Sequence, residues 1–221
     1  MSDARDVILS RVRTSLGWDG GTAPRSIRKM LAARTASPPI AVRPAIPRKD
    51  PCDSFTANLE AVAGKVVRVP GLAAVPGALI RHLDQYGLPY RLVASRDPIL
   101  ADIPWPGEIT LRHGRAADTD RVGITGAFAA VAETGSLVLC SGEHTPTTLN
   151  FLPEDHIVVL DADRIVPYIE DVWGRIKAAF PTWPRTVNFI TGPSKTGDIE
   201  QTMQLGAHGP RRLTVILVMS R

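Results

Sequence analysis

The sequence predicts an α/β domain of three layers built on a mostly parallel sheet, and three observations predict it. From residue 54 onward, short β-branched runs alternate with stretches of helical periodicity, the pattern of strand, crossover helix and parallel strand. The run Ile157, Val158, Val159, Leu160 is apolar without alternation, as a strand is when helices cover both faces of its sheet. At 221 residues and 44% hydrophobic, the chain can bury one sizeable core, so residues 51–221 read as one domain and residues 1–50 as an N-terminal helix and arm.

Residues 3–16 place Val7, Ile8, Val12 and Leu16 at roughly helical spacing, with Gly17 as the stop. Residues 17–51 carry Pro38, Pro39, Pro44, Pro47 and Pro51 and read as an extended arm, because proline forbids long helices and disfavours central strands. A helix is expected over 54–63, a strand over 65–69, a helix over 72–86 ending at Gly87, and a strand over 90–93. Residues 96–120 are broken by Pro98, Pro104 and Pro106. Then follow a strand over 121–125, a helix over 126–132, strands over 136–140 and 157–160, and an amphipathic helix over 165–180. A strand over 186–190, a loop over 191–195, a helix near 196–205 and a strand over 213–219 complete the series.

Charge and cysteine content exclude several function classes. The net charge is +4, yet residues 1–50 hold ten Lys/Arg against four Asp/Glu and the rest holds sixteen against eighteen. The basic excess therefore lies on the arm, aromatics are sparse, and no nucleic-acid groove is expected. No apolar run approaches the ~20 residues of a membrane span, and no secretory leader pattern opens the chain, so a cytoplasmic protein is expected. Cys52 and Cys140 stand far apart and outside any CxxC spacing; two thiols cannot supply the four thiolates of an ordinary iron–sulfur cluster. The five histidines show no HxxxH or HxH spacing, so no metal site is expected, and Asp155-His156 reads as a strand-entry turn.

Three loops carry candidate chemistry. In the first, Gly123 and Gly126 permit a strand-to-helix turn capped by Thr125, and Glu133, Thr134, Gly135 and Ser136 sit where that helix would end. A glutamate there can be a general base, a nucleophile or a hydrogen-bond acceptor, or be merely solvated behind a C′ glycine. In the second, Gly192, Pro193, Ser194, Lys195 and Thr196 precede an expected helix start, a ready anion site with Asp198 and Glu200 in its first turn. It is not a Walker A loop, because the glycine spacing is missing. In the third, Gly206, Gly209 and Pro210 make a sharp turn around His208, which can transfer protons near neutral pH or lock the loop.

The runs GITGAFAAVAETGSLVL, LNFLPEDHIVVL and ITGPSKTGDIEQTMQLGAHGPRRLTVIL together resemble the LUD-domain family, and among it lactate utilization protein C, over about residues 122–218. The N-terminal DVILSRVRTSLG is similar to the start of that family, and the proline-rich arm matches least. Ser136 stands where the family usually has threonine and Gly197 where alanine is usual. The resemblance implies a fold similar to the NagB/RpiA/CoA-transferase-like group. It also implies a part in oxidising L-lactate to pyruvate beside two iron–sulfur partner proteins, the clusters lying on those partners. In CoA-transferase relatives a turn glutamate attacks an acyl group, and Glu133 occupies a similar-looking position. The expectation drawn from all three loops is one small anionic ligand between Glu133, the loop Gly192 to Thr196, and His208. The alternatives are a stand-alone acyl- or phosphosugar-handling enzyme and a non-catalytic binding subunit.

Overall fold

The computed structural model describes residues 2–17, 25–36, 43, 50–197, 203–205 and 208–220. The chain divides into two compact units, Met1–Pro44 and Ala45–Arg221. The first holds two helices, α1 (Ser2–Ser15) and α2 (Arg25–Ala36). The first follows the expected helix, and Gly17 ends it in the left-handed region at φ 62°. The second lies within the predicted extended arm, which is a correction. Residues 25–37 contain no proline, so nothing there breaks a three-turn helix.

The second unit opens with α3 (Pro51–Ala61), whose start is set by Asp50: its carboxylate accepts from the Cys52 N–H at 2.8 Å, with Pro51 at the first helical position. Then come β1 (Lys65–Val69), a 3-10 turn (Leu72–Ala74), α4 (Val75–Gln85), β2 (Arg91–Ala94), α5 (Pro98–Ala101), β3 (Thr110–His113) and β4 (Val122–Gly126). They are followed by β5 (Ala129–Val131), β6 (Ser136–Cys140), α6 (Thr148–Phe151), β7 (Asp155–Asp161), β8 (Ile165–Val166) and α7 (Ile169–Ala179). The series ends in β9 (Val187–Ile190), β10 (Lys195–Gly197), β11 (Met203–Leu205) and β12 (Arg212–Val218).

Six strands form one all-parallel sheet in the order β1-β12-β7-β4-β2-β3. Helices flank it, so the α/β class holds. Val75, Leu79 and Leu83 of α4 pack with Ile99 of α5 against Ile124, Ile157 and Val159 on one face. The other face meets Phe55 and Leu59 of α3 and a second sheet, β8-β5-β6-β9. That smaller sheet turns its outer face, with Val131 and Val138, onto Val172 and Ile176 of α7. Burying a Leu or Phe side chain stabilises by roughly 1.5–3 kcal/mol, so these two interlayer cores hold the layers together.

Two predicted helices are strands. Residues 126–132 were expected to be helical, but Ala129, Ala130 and Val131 are fully buried between layers and pair as β5 with β6. Burial on both sides overrides the helical preference of alanine. Near 196–205 the described residues form an antiparallel pair, β10 with β11, registering Lys195 with Leu205 and Gly197 with Met203. The expected strand-entry turn at Asp155-His156 is instead the start of β7, with both residues 0% exposed. No described helix is long and apolar enough to cross a membrane.

Candidate functional site

Glu133, Thr134 and Gly135 make the turn of the β5–β6 hairpin, not a helix end. Gly135 holds φ 68°, and a Cβ there would stand 2.4 Å from the Leu59 backbone N of α3. Only glycine meets both conditions. Asn58 of α3 clamps the same turn, its side-chain amide donating to the Ala132 and Glu133 carbonyls at 2.8 and 3.1 Å. The Glu133 carboxylate accepts from the Ile169 N–H at 2.8 Å, satisfying an otherwise open donor at the start of α7. Its position makes it a helix cap supplied from another element.

A hydroxyl chain links this turn to the second loop: Thr134 Oγ1 lies 2.7 Å from Ser136 Oγ, which lies 2.6 Å from Thr191 Oγ1. Gly192 and Pro193 follow, Gly192 passing against the Val62 carbonyl just past α3. The Ser194 N–H donates to the Pro210 carbonyl at 2.8 Å, and Gly209 approaches the Ser194 side chain, so the second and third loops do meet. Lys195 and Thr196 belong to β10, so no helix start presents amides to an anion here. Asp198 and Glu200 lie outside the described residues.

His208 and Gly209 precede β12 and so lie at the amino end of the parallel sheet. They line an open cleft with Asp118, Arg121, Phe151 and Glu154, a cleft that includes neither Glu133 nor Ser136. The three loops therefore do not close around one ligand: the Glu133 carboxylate is bonded to the start of α7, while His208 lines the open cleft. Behind that cleft sits a buried ionic cluster. Asp155 accepts from Arg212 Nε at 2.6 Å and Nη2 at 2.5 Å, and stands 3.1 Å from His82 Nε2. Burial alone would raise the Asp155 pKa, but the hydrogen bonds from His82 and Arg212 outweigh it and hold the carboxyl below its ordinary value. The same bond to Asp155 raises Arg212. The Tyr86 ring lies 4.9 Å from the His82 ring and 4.7 Å from the Arg212 guanidinium, a cation–π contact for the arginine.

The carboxyl edge of the sheet holds a different arrangement. After β2 the connection runs outward to β3, and after β4 it runs the other way to β7, so the chain changes direction between the ends of β2 and β4. Ligands in open parallel sheets bind in that crevice. Here a cavity of about 260 Å³ lies between Asp97, past the end of β2, and Thr125 and Gly126, at the end of β4. Phe128, Leu139, Leu149 and Phe180 form apolar walls, and Asn150 and Arg164 reach it from α6 and from the turn after β7. The Phe128 and Phe180 rings pack at 5.3 Å between centroids. Asp97 lies against Gly126 so closely that a Cβ there would sit 2.4 Å from the carboxylate carbon. One Asp97 oxygen accepts from the Ile99 N–H at 3.2 Å and so caps α5.

Two polar groups at this cavity are incompletely used. Asn150 is 6% exposed, and its side-chain amide makes no hydrogen bond with the described residues. Thr125 Oγ1 lies 2.9 Å from His156 Nε2, while His156 Nδ1 is buried without a partner among the described residues. Burial pushes the His156 pKa down to about 4, so the ring is neutral at pH 7. An orphaned N–H is rarer than an unfilled acceptor, so the proton belongs on Nε2 and Nδ1 carries the bare lone pair. Thr125 then accepts from His156 and keeps its own hydroxyl proton for a group in the cavity. Cys140 also lines the cavity, but burial raises its thiol to about 11, so it is no thiolate nucleophile. Among the described residues no cluster of His, Cys, Asp and Glu could hold a metal ion. What the arrangement can do is bind: apolar walls around a few convergent polar groups.

This cavity escaped sequence reasoning because its polar residues come from four separate segments, with no spacing to link Asp97, Thr125, Asn150 and Arg164. The signal that was present is topological: Thr125-Gly126 and Asp97 both end parallel strands.

A parallel sheet with a cavity at its direction change defines an α/β domain of the kind that holds small ligands at the carboxyl edge. Within that class the chain belongs to the LUD domain family, whose model matches residues 52–218. It is similar to proteins named lactate utilization protein C, at 34% identity over 153 residues for that of Geobacillus sp. (strain WCH70), covering 63% of this chain and 60% of the relative. The Geobacillus kaustophilus relative is 31% identical, covering 67% of this chain and 70% of its own length. The Bacillus subtilis relative is 32% identical over 120 residues, covering 53% of this chain and 50% of its own. The matched region thus spans 50–70% of these relatives. Among solved structures, a DUF162 family protein from Deinococcus radiodurans shares the fold at a TM-score of 0.57 and 21% identity, covering 79% of this chain and all of that one.

Proposed function

We propose that this protein serves in L-lactate utilization as a subunit that holds no iron–sulfur cluster, beside partner proteins that carry the clusters and pass on the electrons as lactate becomes pyruvate. The observation that carries the reading is the LUD match over 52–218 together with relatives named for lactate utilization. The cysteine count supports the division of labour, since Cys52 and Cys140 cannot bind a four-thiolate cluster. The place of action is the cytoplasm, whose reducing poise suits the free thiols Cys52 and Cys140. Glu133 supports the fold of the subunit by capping α7, and the ligand chemistry belongs to the carboxyl-edge cavity.

The experiment is deletion of the gene followed by growth with L-lactate as the sole carbon source. The expected result is failure to grow on L-lactate with normal growth on glucose, restored by the intact gene. Undiminished growth on L-lactate would sink the reading. Affinity purification of the tagged chain from lactate-grown cells is expected to bring down proteins with iron–sulfur absorbance.

A further inference from the structure

The carboxyl-edge cavity has the size, walls and unused polar groups of a nucleotide site, and this goes beyond the pathway reading and does not depend on it. A cavity of about 150 Å³ takes a single benzene ring, so about 260 Å³ takes a fused two-ring head. The walls are aromatic and aliphatic, Phe128 and Phe180 among them, which suits the face of a planar base. Asn150 is the buried polar side chain at the cavity that makes no side-chain hydrogen bond among the described residues, while Glu143 and His144 stand exposed at its rim. A carboxamide presents a donor and an acceptor in one plane, the complement of adenine N6–H and N7.

Phe128 and Arg164 also line a separate shallow surface, together with Arg175 and Ala179. Arg164 Nη1 donates to the Ala127 carbonyl at 2.6 Å, and Arg175 lies 3.4 Å from the Asp163 carbonyl. Neither guanidinium has a carboxylate partner among the described residues, and Arg175 is exposed. Two unpaired arginines at the mouth of an apolar pocket favour an anionic tail, and guanidinium matches phosphate in geometry as well as charge. Between base and tail, Asp97 offers a carboxylate oxygen that α5 does not use, an acceptor for sugar hydroxyls. Each part of an adenosine phosphate thus finds its chemical counterpart, in the crevice where the sheet changes direction.

We propose that this cavity binds an adenine nucleotide, with Asn150 reading the base edge, Asp97 the ribose and Arg164 with Arg175 the phosphate. The source is either a free nucleotide or the adenylate end of a dinucleotide, and AMP is the part common to both.

The test is isothermal titration of the full chain with AMP, adenosine, IMP and inorganic phosphate. IMP differs by replacing the N6 amino group with a carbonyl, which reverses one hydrogen bond at the base edge. The expected result is one saturable AMP site, with IMP weaker by about tenfold or more, the worth of a bidentate base contact. Adenosine is expected to bind more weakly than AMP in the wild type and equally to wild type and Arg175→Ala. In Asn150→Leu, which keeps the volume and removes the amide, the preference for AMP over IMP is expected to vanish. Arg175 is exposed, so Arg175→Ala keeps the fold and reports on the phosphate even if the Asn150 variant does not fold. ADP and NAD⁺ titrated alongside identify the source, tighter ADP marking a free nucleotide and tighter NAD⁺ a dinucleotide. Absence of saturable AMP binding overturns the proposal. So does AMP binding that phosphate alone matches, or that IMP equals in the wild type.

Discussion

Replacing His156 by glutamine should remove an acid sensitivity that the buried ring imposes on the whole domain. His156 is 0% exposed, and burial lowers its pKa from 6.5 to about 4. The unfolded chain therefore takes up a proton below pH 6.5 that the folded chain refuses until about pH 4. Stability is unaffected above pH 6.5 and falls as pH drops through that window, because the unfolded state binds more protons. At ~1.36 kcal/mol per pH unit the loss reaches about 2 kcal/mol at pH 5 and about 3 kcal/mol at the lower limit. Glutamine keeps a donor within reach of Thr125 and has nothing to titrate. Urea unfolding of both proteins at pH 7.5, 6.0 and 5.0 checks this. The gap between wild type and His156→Gln is expected to shift by about 2 kcal/mol in favour of the variant between pH 7.5 and 5.0. Two stability curves that run parallel over this range would refute the assignment of a neutral buried imidazole.

Three further outcomes are expected. Asp155→Asn should destabilise by about 3 kcal/mol at pH 7, because Arg212 loses the buried carboxylate that pairs with it and His82 loses a hydrogen-bond partner, and the melting temperature reads it. In the wild type, the depressed Asp155 pKa means this contribution is present above the ordinary carboxylate range and lost as pH falls below it, which acid titration of stability checks. Gly135→Ala should cost at least about 2 kcal/mol, the sum of the left-handed backbone and the clash with α3, and is expected to raise amide exchange in residues 51–61. Glu133→Ala should lower stability by about 1 kcal/mol through the lost α7 cap, whereas Glu133→Gln should lose less than half of that.

The parallel sheet was legible because β7 and β12 each carry an unbroken apolar run at their centre: β1 matches its expected bounds, β7 extends its own by two residues at the start and one at the end, and β12 is shifted by one residue. Local signals failed where layers compete for the same residues. Ala129 and Ala130 favour a helix in isolation, yet both are buried between layers, Ala130 in the core toward the parallel sheet and Ala129 in the core toward α7. The pairing of β10 with β11 was missed for a related reason, since Lys195-Thr196-Gly197 resembles a helix start whenever its partner strand is not considered. The helix α2 was hidden by prolines on both sides of a proline-free window. Of the candidate site, Thr125 was legible as a strand-end polar residue, while Asn150, Asp97 and Arg164 acquire meaning only through the crossovers that gather them. The loops of Ser194 and His208 meet through the Pro210 carbonyl at the sheet's amino edge, a contact that no spacing in the sequence announces.

The strand order has a consequence for synthesis. Among the described residues β1 pairs only with β12, which lies more than 140 residues further along the chain. At ~5–20 residues per second, a ribosome leaves β1 without its neighbour for roughly 7 to 30 s. During that interval Val66, Val67 and Val69 present an unpaired, β-branched ribbon that can join the wrong edge. Translation speed and chaperone supply, more than the strength of the finished core, will therefore govern how much of this protein reaches its native form in a cell.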